Sequence, residues 1–342
     1  MTKSKKTNKK TDTKEGRRRA NAIKMNSGDN VRTTTDAEVP VTGLAGVCSP
    51  ANTHSKETVE GTCLTPRDVR DIAKWYNNTE NGRAAPVEIT PSSSTASLLD
   101  ALHARLGTRR GEEFLWTCVA PPASPAGQRL ATAFRPLMPK SWIANDRSWL
   151  SNFDIQAVMV QYEEAVPDFW MVGVFPIDFA LVLEDGQCVS MEMCGLSVAK
   201  MRAAGKTQAG IILNLDTHDQ SGSHWVAVYV NIDPAHKNYG LFYYDSVSAL
   251  PPPEINDFAE SLRSQVVATS HEKKASLRKK PFNYEYNVHR RQFKNTECGV
   301  FAMFFLVCCM SRKLDFDYIC RCMGNDENLH TLRAVFFRKP RT

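Results

Sequence analysis

The 342-residue chain has no apolar run that approaches the roughly 20 residues needed by a membrane-spanning helix. Its longest, 299–310, is too short to span. The first residues are basic and lack the apolar stretch of a secretory signal, so none is expected. The ten cysteines lack the regular spacing of a disulfide framework. A reducing compartment and mostly free thiols follow. Cys308, Cys309, Cys320, Cys322 and His330 fit no standard zinc spacing, so neither a metal nor another cofactor is expected.

What is present is the composition of a soluble globular protein, 42% apolar and 23% charged. The net charge of +6 is unevenly spread. Residues 1–20 hold nine Lys and Arg against Asp12 and Glu15, a surplus of seven, which leaves the remainder at −1. The basicity therefore belongs to a tail. Residues 1–60, rich in Lys, Thr, Ser and Asn without sustained periodicity, read as disordered. That arm suits nuclear import or a polyanion, or simply solubilises the chain. Residues 61–125 read as a helical extension, with a Thr65-Pro66 start and leucines at helical spacing over 95–106. Pro121 to Gly127 reads as the linker, and 126–342 as the main domain.

In that domain, Cys298 opens the apolar run, so it sits in the first turn of a buried helix. Unpaired N–H groups and the helix dipole favour thiolate there. Gln292, six residues upstream, supplies an amide donor of the kind an oxyanion hole needs. The segments 224–230 and 239–245 are β-rich around a polar loop and read as an antiparallel hairpin. Pairing Val230 with Tyr239 sets Asp245 opposite His224, and cross-strand neighbours on one face touch. A carboxylate against an imidazole fixes its tautomer and stabilises the imidazolium. The remaining histidines show no such acidic partner in sequence. Cys298, His224 and Asp245 thus form a candidate nucleophile, base and orienter.

These residues resemble a known family. Gly222-Ser223-His224-Trp225, Tyr244-Asp245-Ser246 and Gln292-x5-Cys298-Gly299 are similar to the motifs of the ubiquitin-like-protein-specific cysteine proteases, which include the SUMO proteases and the adenovirus maturation protease. Trp149-Leu150-Ser151-Asn152 resembles that family's Trp-Leu-Asn-Asp helix start. Within the superfamily the chain looks most like the maturation proteases of nucleocytoplasmic large DNA viruses. Glu297 departs from the pattern, because the SUMO proteases usually have Asp before the nucleophile.

The resemblance implies an α+β, papain-like or adenain-like core, a central mixed sheet flanked by helices. It implies a thiol endopeptidase that cuts viral structural polyproteins at Gly-Gly-X sites, with Trp225 flanking a narrow channel and Gln292 in the oxyanion hole. A SUMO or ubiquitin-like deconjugase, or an inert nucleic-acid-binding scaffold, are the alternatives. Expected partners are the polyprotein substrate and, through the basic tail and residues 273–291, nucleic acid. The implied location is the virion and the viral factory in host cytoplasm, with the nucleus open to the basic tail.

Overall fold

The computed structural model describes residues 47–53, 56–121, 123–270 and 280–339. Five strands, β1 Phe169–Pro176, β2 Gln208–Asn214, β3 Trp225–Asn231, β4 Gly240–Tyr244 and β5 Asn283–Tyr286, form one sheet in that order. The outer pairs are parallel and the two inner pairings antiparallel. The mixed sheet with flanking helices is the expected α+β core. β2 and β3 are apolar without alternation because both faces of the sheet are covered. Val226, Val228 and Val230 point into one core with Ile255 and Leu262. Ala227 and Tyr229 point into the other.

The helices follow from their sequence. In the N-terminal unit, α1 Pro66–Asn78 starts on a capping box between Thr65 and Asp68. Then come α2 Thr95–Leu106 and α3 Pro125–Ala133. Arg129 of α3 holds α1, with Nε 2.8 Å from Asp68 and Nη2 2.8 Å from Asp71. In the main body, α4 Asn152–Ala165 is capped by Ser151 with Asp154. α5 Pro253–Ser270 covers one sheet face, with Ile255 and Leu262 in its core. The opposite face receives α6 Cys298–Met310. α6 is buried on all sides, so it has no polar stripe and reads as an unbroken apolar run. The chain continues through α7 Phe316–Cys322, α8 Asp326–Thr331 and α9 Arg333–Phe336.

Several expectations are corrected. Residues 1–46 of the anticipated tail lie outside the described residues, but 47–53 and 56–60 belong to the folded body. Cys48 pairs with Cys63 in a disulfide, and both belong to the core of α1 to α3. The Pro121 to Gly127 stretch includes the start of α3 rather than only a linker, since Ser124 caps that helix through the Gly127 N–H at 3.0 Å. Leu130 and Phe134 lie in the N-terminal core, so that core extends past residue 125. Cys188 and Cys194 form a second disulfide. For these four cysteines the expectation of free thiols fails, because turns and cross-chain packing bring together residues whose spacing carries no signal. Cys298, Cys308, Cys309, Cys320 and Cys322 are free.

The hairpin register also differs. Val230 faces Leu241, not Tyr239, a shift of two residues. Side chains alternate with period two, so a two-residue shift keeps every residue on its face. Asp245 and His224 become diagonal neighbours rather than facing ones, which side chains still bridge.

Gly240 marks the closest approach of β4 to β5. Its φ is +150°, and a Cβ there would stand 2.4 Å from the Asn283 carbonyl oxygen. Gly240→Ala is expected to cost about 1–3 kcal/mol through backbone overpacking. Urea denaturation checks this, and an unchanged midpoint would contradict the tight strand approach.

Candidate active site

α6 packs on the sheet face opposite to the one toward which His224 and Asp245 alternate. Thiol and imidazole therefore meet beyond the end of β3, where His224 precedes the first ladder residue. His224 Nε2 lies 2.7 Å from Asp245 Oδ1. Cys298 is the other ionisable neighbour of the ring and favours its charged form, and with Nε2 taken by Asp245, Nδ1 is the ring nitrogen left to face the sulfur. Burial disfavours the imidazolium, but the interactions with Asp245 and Cys298 outweigh it and raise the His224 pKa from 6.5 to about 9. The folded protein thus holds a proton that the unfolded chain releases earlier. The resulting stability is complete below about pH 6.5 and is lost as pH rises through about 9.

Asp245 is fully buried. Its carboxylate also accepts from the N–H groups of Val247 at 2.9 Å and Ala249 at 3.1 Å. Asn287, just past β5, brackets its backbone: the Asn287 Oδ1 accepts from Asp245 N at 2.8 Å, and Nδ2 donates to Asp245 O at 2.7 Å. The next residue, Ser246, donates its hydroxyl to Gln292 Oε1 at 2.5 Å. The Ser246 carbonyl accepts from the N–H groups of Arg291 and Gln292 at 2.8 and 2.9 Å. Gln292 is thereby fixed with its oxygen inward. Its Nε2 gives one hydrogen to Lys294 O at 2.6 Å, which leaves the second available. The first N–H groups of α6, beginning at Cys298, have no intrahelical acceptor. A reacting carbonyl oxygen between them and Gln292 would find two donors.

Glu297, before the thiol, has no exposed surface. Its carboxylate takes Arg333 Nε at 2.7 Å and His330 Nδ1 at 3.1 Å. Arg333 also donates to Ser148 O and Thr296 O, both at 2.8 Å, and lies over the Trp142 ring. Glycine follows the thiol because a Cβ at 299 would press within 3.2–3.3 Å of Leu150, Ile155 and Trp225. Trp225 is held by Nε1 donating to Leu150 O at 3.0 Å.

Two clefts flank this centre. One of about 580 Å³ is lined by His224, Gln292, Arg290 and Phe293 among others. The other, about 450 Å³, lies between Trp149 and Trp225.

All five residues expected from sequence, His224, Trp225, Asp245, Gln292 and Cys298, therefore meet at one place. The argument that no other histidine has an acidic partner is corrected: His103 contacts Glu113, His218 contacts Asp178, and His330 contacts Glu297. What sets His224 apart is Cys298 on its other side. Sequence reasoning gave no role to Arg333, nor to Ser246, although Ser246 stands in the Tyr244-Asp245-Ser246 motif, and it missed Asn287, for which no local signal exists. Among the described residues, no three His, Cys, Asp or Glu side chains are placed to hold a metal ion. Nor is any helix there long and apolar enough to cross a membrane.

A thiol at the mouth of a buried helix, facing an imidazole and carboxylate carried by a sheet, is the plan of the papain-like cysteine proteases. Residues 210–329 match the Ulp1 protease family, C-terminal catalytic domain. A protein of Acanthamoeba polyphaga mimivirus named as a thiol protease is 30% identical over 193 residues, 56% of this chain and 57% of the relative. The chain thus spans less than two thirds of that relative's length. A cysteine protease of African swine fever virus is 23% identical over 217 residues, 62% of this chain and 74% of its own. The crystal structure of an African swine fever virus protease aligns with a TM-score of 0.57 at 16% identity, covering 87% of this chain and 98% of that one. The fold is shared.

Two outcomes are expected. By NMR the His224 ring should titrate near pH 9, and Asp245→Asn should lower that midpoint. A wild-type midpoint at or below 6.5 would contradict the paired imidazolium. Arg333→Met should destabilise the fold by about 3–5 kcal/mol, because it strands a buried carboxylate. Adding Glu297→Gln should recover part of that loss in denaturant melts, whereas strictly additive losses would count against the pair.

Proposed function

We propose that this protein is a thiol endopeptidase that cleaves viral structural polyprotein precursors at Gly-Gly-X sites during virion maturation. The observation that carries the reading is the His224–Asp245 pair at 2.7 Å set beside Cys298, which opens a buried helix. In this reading the Cys298 thiolate attacks the scissile carbonyl carbon. The developing oxyanion is held by the Gln292 amide and the Cys298 N–H. The His224 imidazolium gives its proton to the leaving amine, and a thioester remains. Water, deprotonated by His224, then releases the acid and regenerates the thiol. Asp245 keeps the ring oriented throughout.

The Gly-Gly preference rests on the motif resemblance, with Trp149 and Trp225 lining the cleft that would receive those residues. Virion maturation is supported by the kinship with viral proteins named as thiol and cysteine proteases.

A second reading, deconjugation of a ubiquitin-like protein, is favoured by one observation: relatives from other African swine fever virus isolates are named SUMO-1 cysteine proteases. Efficient turnover of a SUMO-fused reporter, with poor cleavage of polyprotein peptides, would select it. Nucleic-acid contact through the basic tail belongs to the same proposal. Most of that tail and residues 271–279 lie outside the described residues. Nearby, Lys280 and Arg291 spend hydrogen bonds on backbone carbonyls. Fluorescence anisotropy with a DNA duplex across a salt series tests the contact, and affinity without salt dependence would count against it.

Cys298→Ala is expected to abolish cleavage of a Gly-Gly-X peptide while leaving the circular dichroism spectrum and melting temperature near wild type. Residual turnover in a purified, folded variant would refute the nucleophile assignment, whereas absence of turnover by wild type would favour the inert-scaffold reading.

A further inference from the structure

The imidazolium that protonates the leaving amine must lie against the leaving half of the substrate. The cleft lined by His224 therefore takes residues C-terminal to the scissile bond, and the tryptophan-lined cleft takes the acyl half. No Asp or Glu lines the His224 cleft, whereas Arg147, Arg290 and Lys294 do.

Two of these three cations are engaged. Arg147 and Lys294 share Glu327, with Arg147 Nη2 at 2.6 Å from its carboxylate. The two oxygens of Asp326 are taken by the N–H groups of Phe293 and Lys294, and Glu297 is taken by Arg333. Arg290 differs. Its Nε donates to Gln292 O at 2.7 Å, and its guanidinium lies 5.1 Å from the centre of the exposed Phe293 ring. Among the described residues no carboxylate pairs with it. The head group is thus immobilised through Nε and the ring, which leaves the two Nη groups as a fork oriented beside Gln292. A planar, anchored fork of this kind is shaped for bidentate capture of a carboxylate.

We propose that the His224 cleft selects substrates with an acidic residue within the first three positions after the scissile bond, and that Arg290 is the specificity-determining residue. The inference rests on the protease reading above and deepens it, adding a charge requirement on the leaving side to the Gly-Gly requirement on the acyl side. The same fork pulls the acidic side chain toward Gln292, so recognition and alignment of the scissile carbonyl are coupled.

The test uses the full chain and three sets of Gly-Gly peptides, in which the first, second or third residue after the cleavage point is Asp, Ser or Lys. Wild type should favour Asp over Lys by on the order of tenfold in kcat/KM at one of these positions, the size of a charge-assisted hydrogen bond. Arg290→Glu should reverse the order within its own set of rates, a comparison that is insensitive to any general loss of activity. A wild-type ratio near one at all three positions, or an unchanged ratio in Arg290→Glu, overturns the specificity alone. Failure of wild type to cleave any of the peptides overturns the protease reading and this inference with it.

Discussion

Two consecutive residues at the end of β4, Asp245 and Ser246, hold the site together. Asp245 fixes the imidazole and Ser246 fixes the glutamine amide, so base and oxyanion donor are set by one stretch of backbone. That stretch is rigid because three elements meet on it: the turn over 247–249 folds back on the Asp245 carboxylate, Asn287 brackets its peptide groups, and the 291–292 segment pairs with the Ser246 carbonyl. Relative position then depends on few torsions. This is what a site needs when tenths of an ångström govern whether a carbonyl meets its donors.

The nucleophile comes from the other side of the sheet and has its own support. α6 is apolar all round, so nothing on its surface could orient it by polar contacts except at its mouth. There a buried ion pair, Glu297 with Arg333, ties the first turn to the Ser148 and Thr296 carbonyls. The pair contributes little net stability, since desolvation offsets attraction. Its value lies in direction, for a carboxylate buried before the thiol accepts only one placement. The glutamate at this position, where the SUMO proteases usually have aspartate, is accommodated by that arginine.

Much of this was legible in sequence because the chemistry is local. The apolar run after Cys298, the spacing from Gln292 and the polar loop between two β-rich segments are short-range signals. The hairpin arithmetic was wrong by two residues and still joined His224 to Asp245, since face alternation forgives an even error where an odd one would have parted them. Less legible was what depends on contacts distant in sequence. β5, a four-residue edge strand, has no periodicity to detect, so Asn287 was invisible. The two disulfides join cysteines whose proximity is created by folding. α3 was hidden behind a proline-rich start that reads equally as linker or as helix cap.

The Glu297–Arg333 pair also orders events in time. The two residues are 36 positions apart, and the glutamate is synthesised first. Until the later segment has docked, the carboxylate has only the more distant Arg147 guanidinium at 3.8 Å, and the turn that carries the thiol lacks the Arg333 clamp. A chain ending between them would contain the imidazole, its acid and the thiol with the last piece of the frame missing. The nucleophile is thus aligned only after nearly everything described here has been made, so a nascent chain carries the components of a protease before it carries the means to aim them.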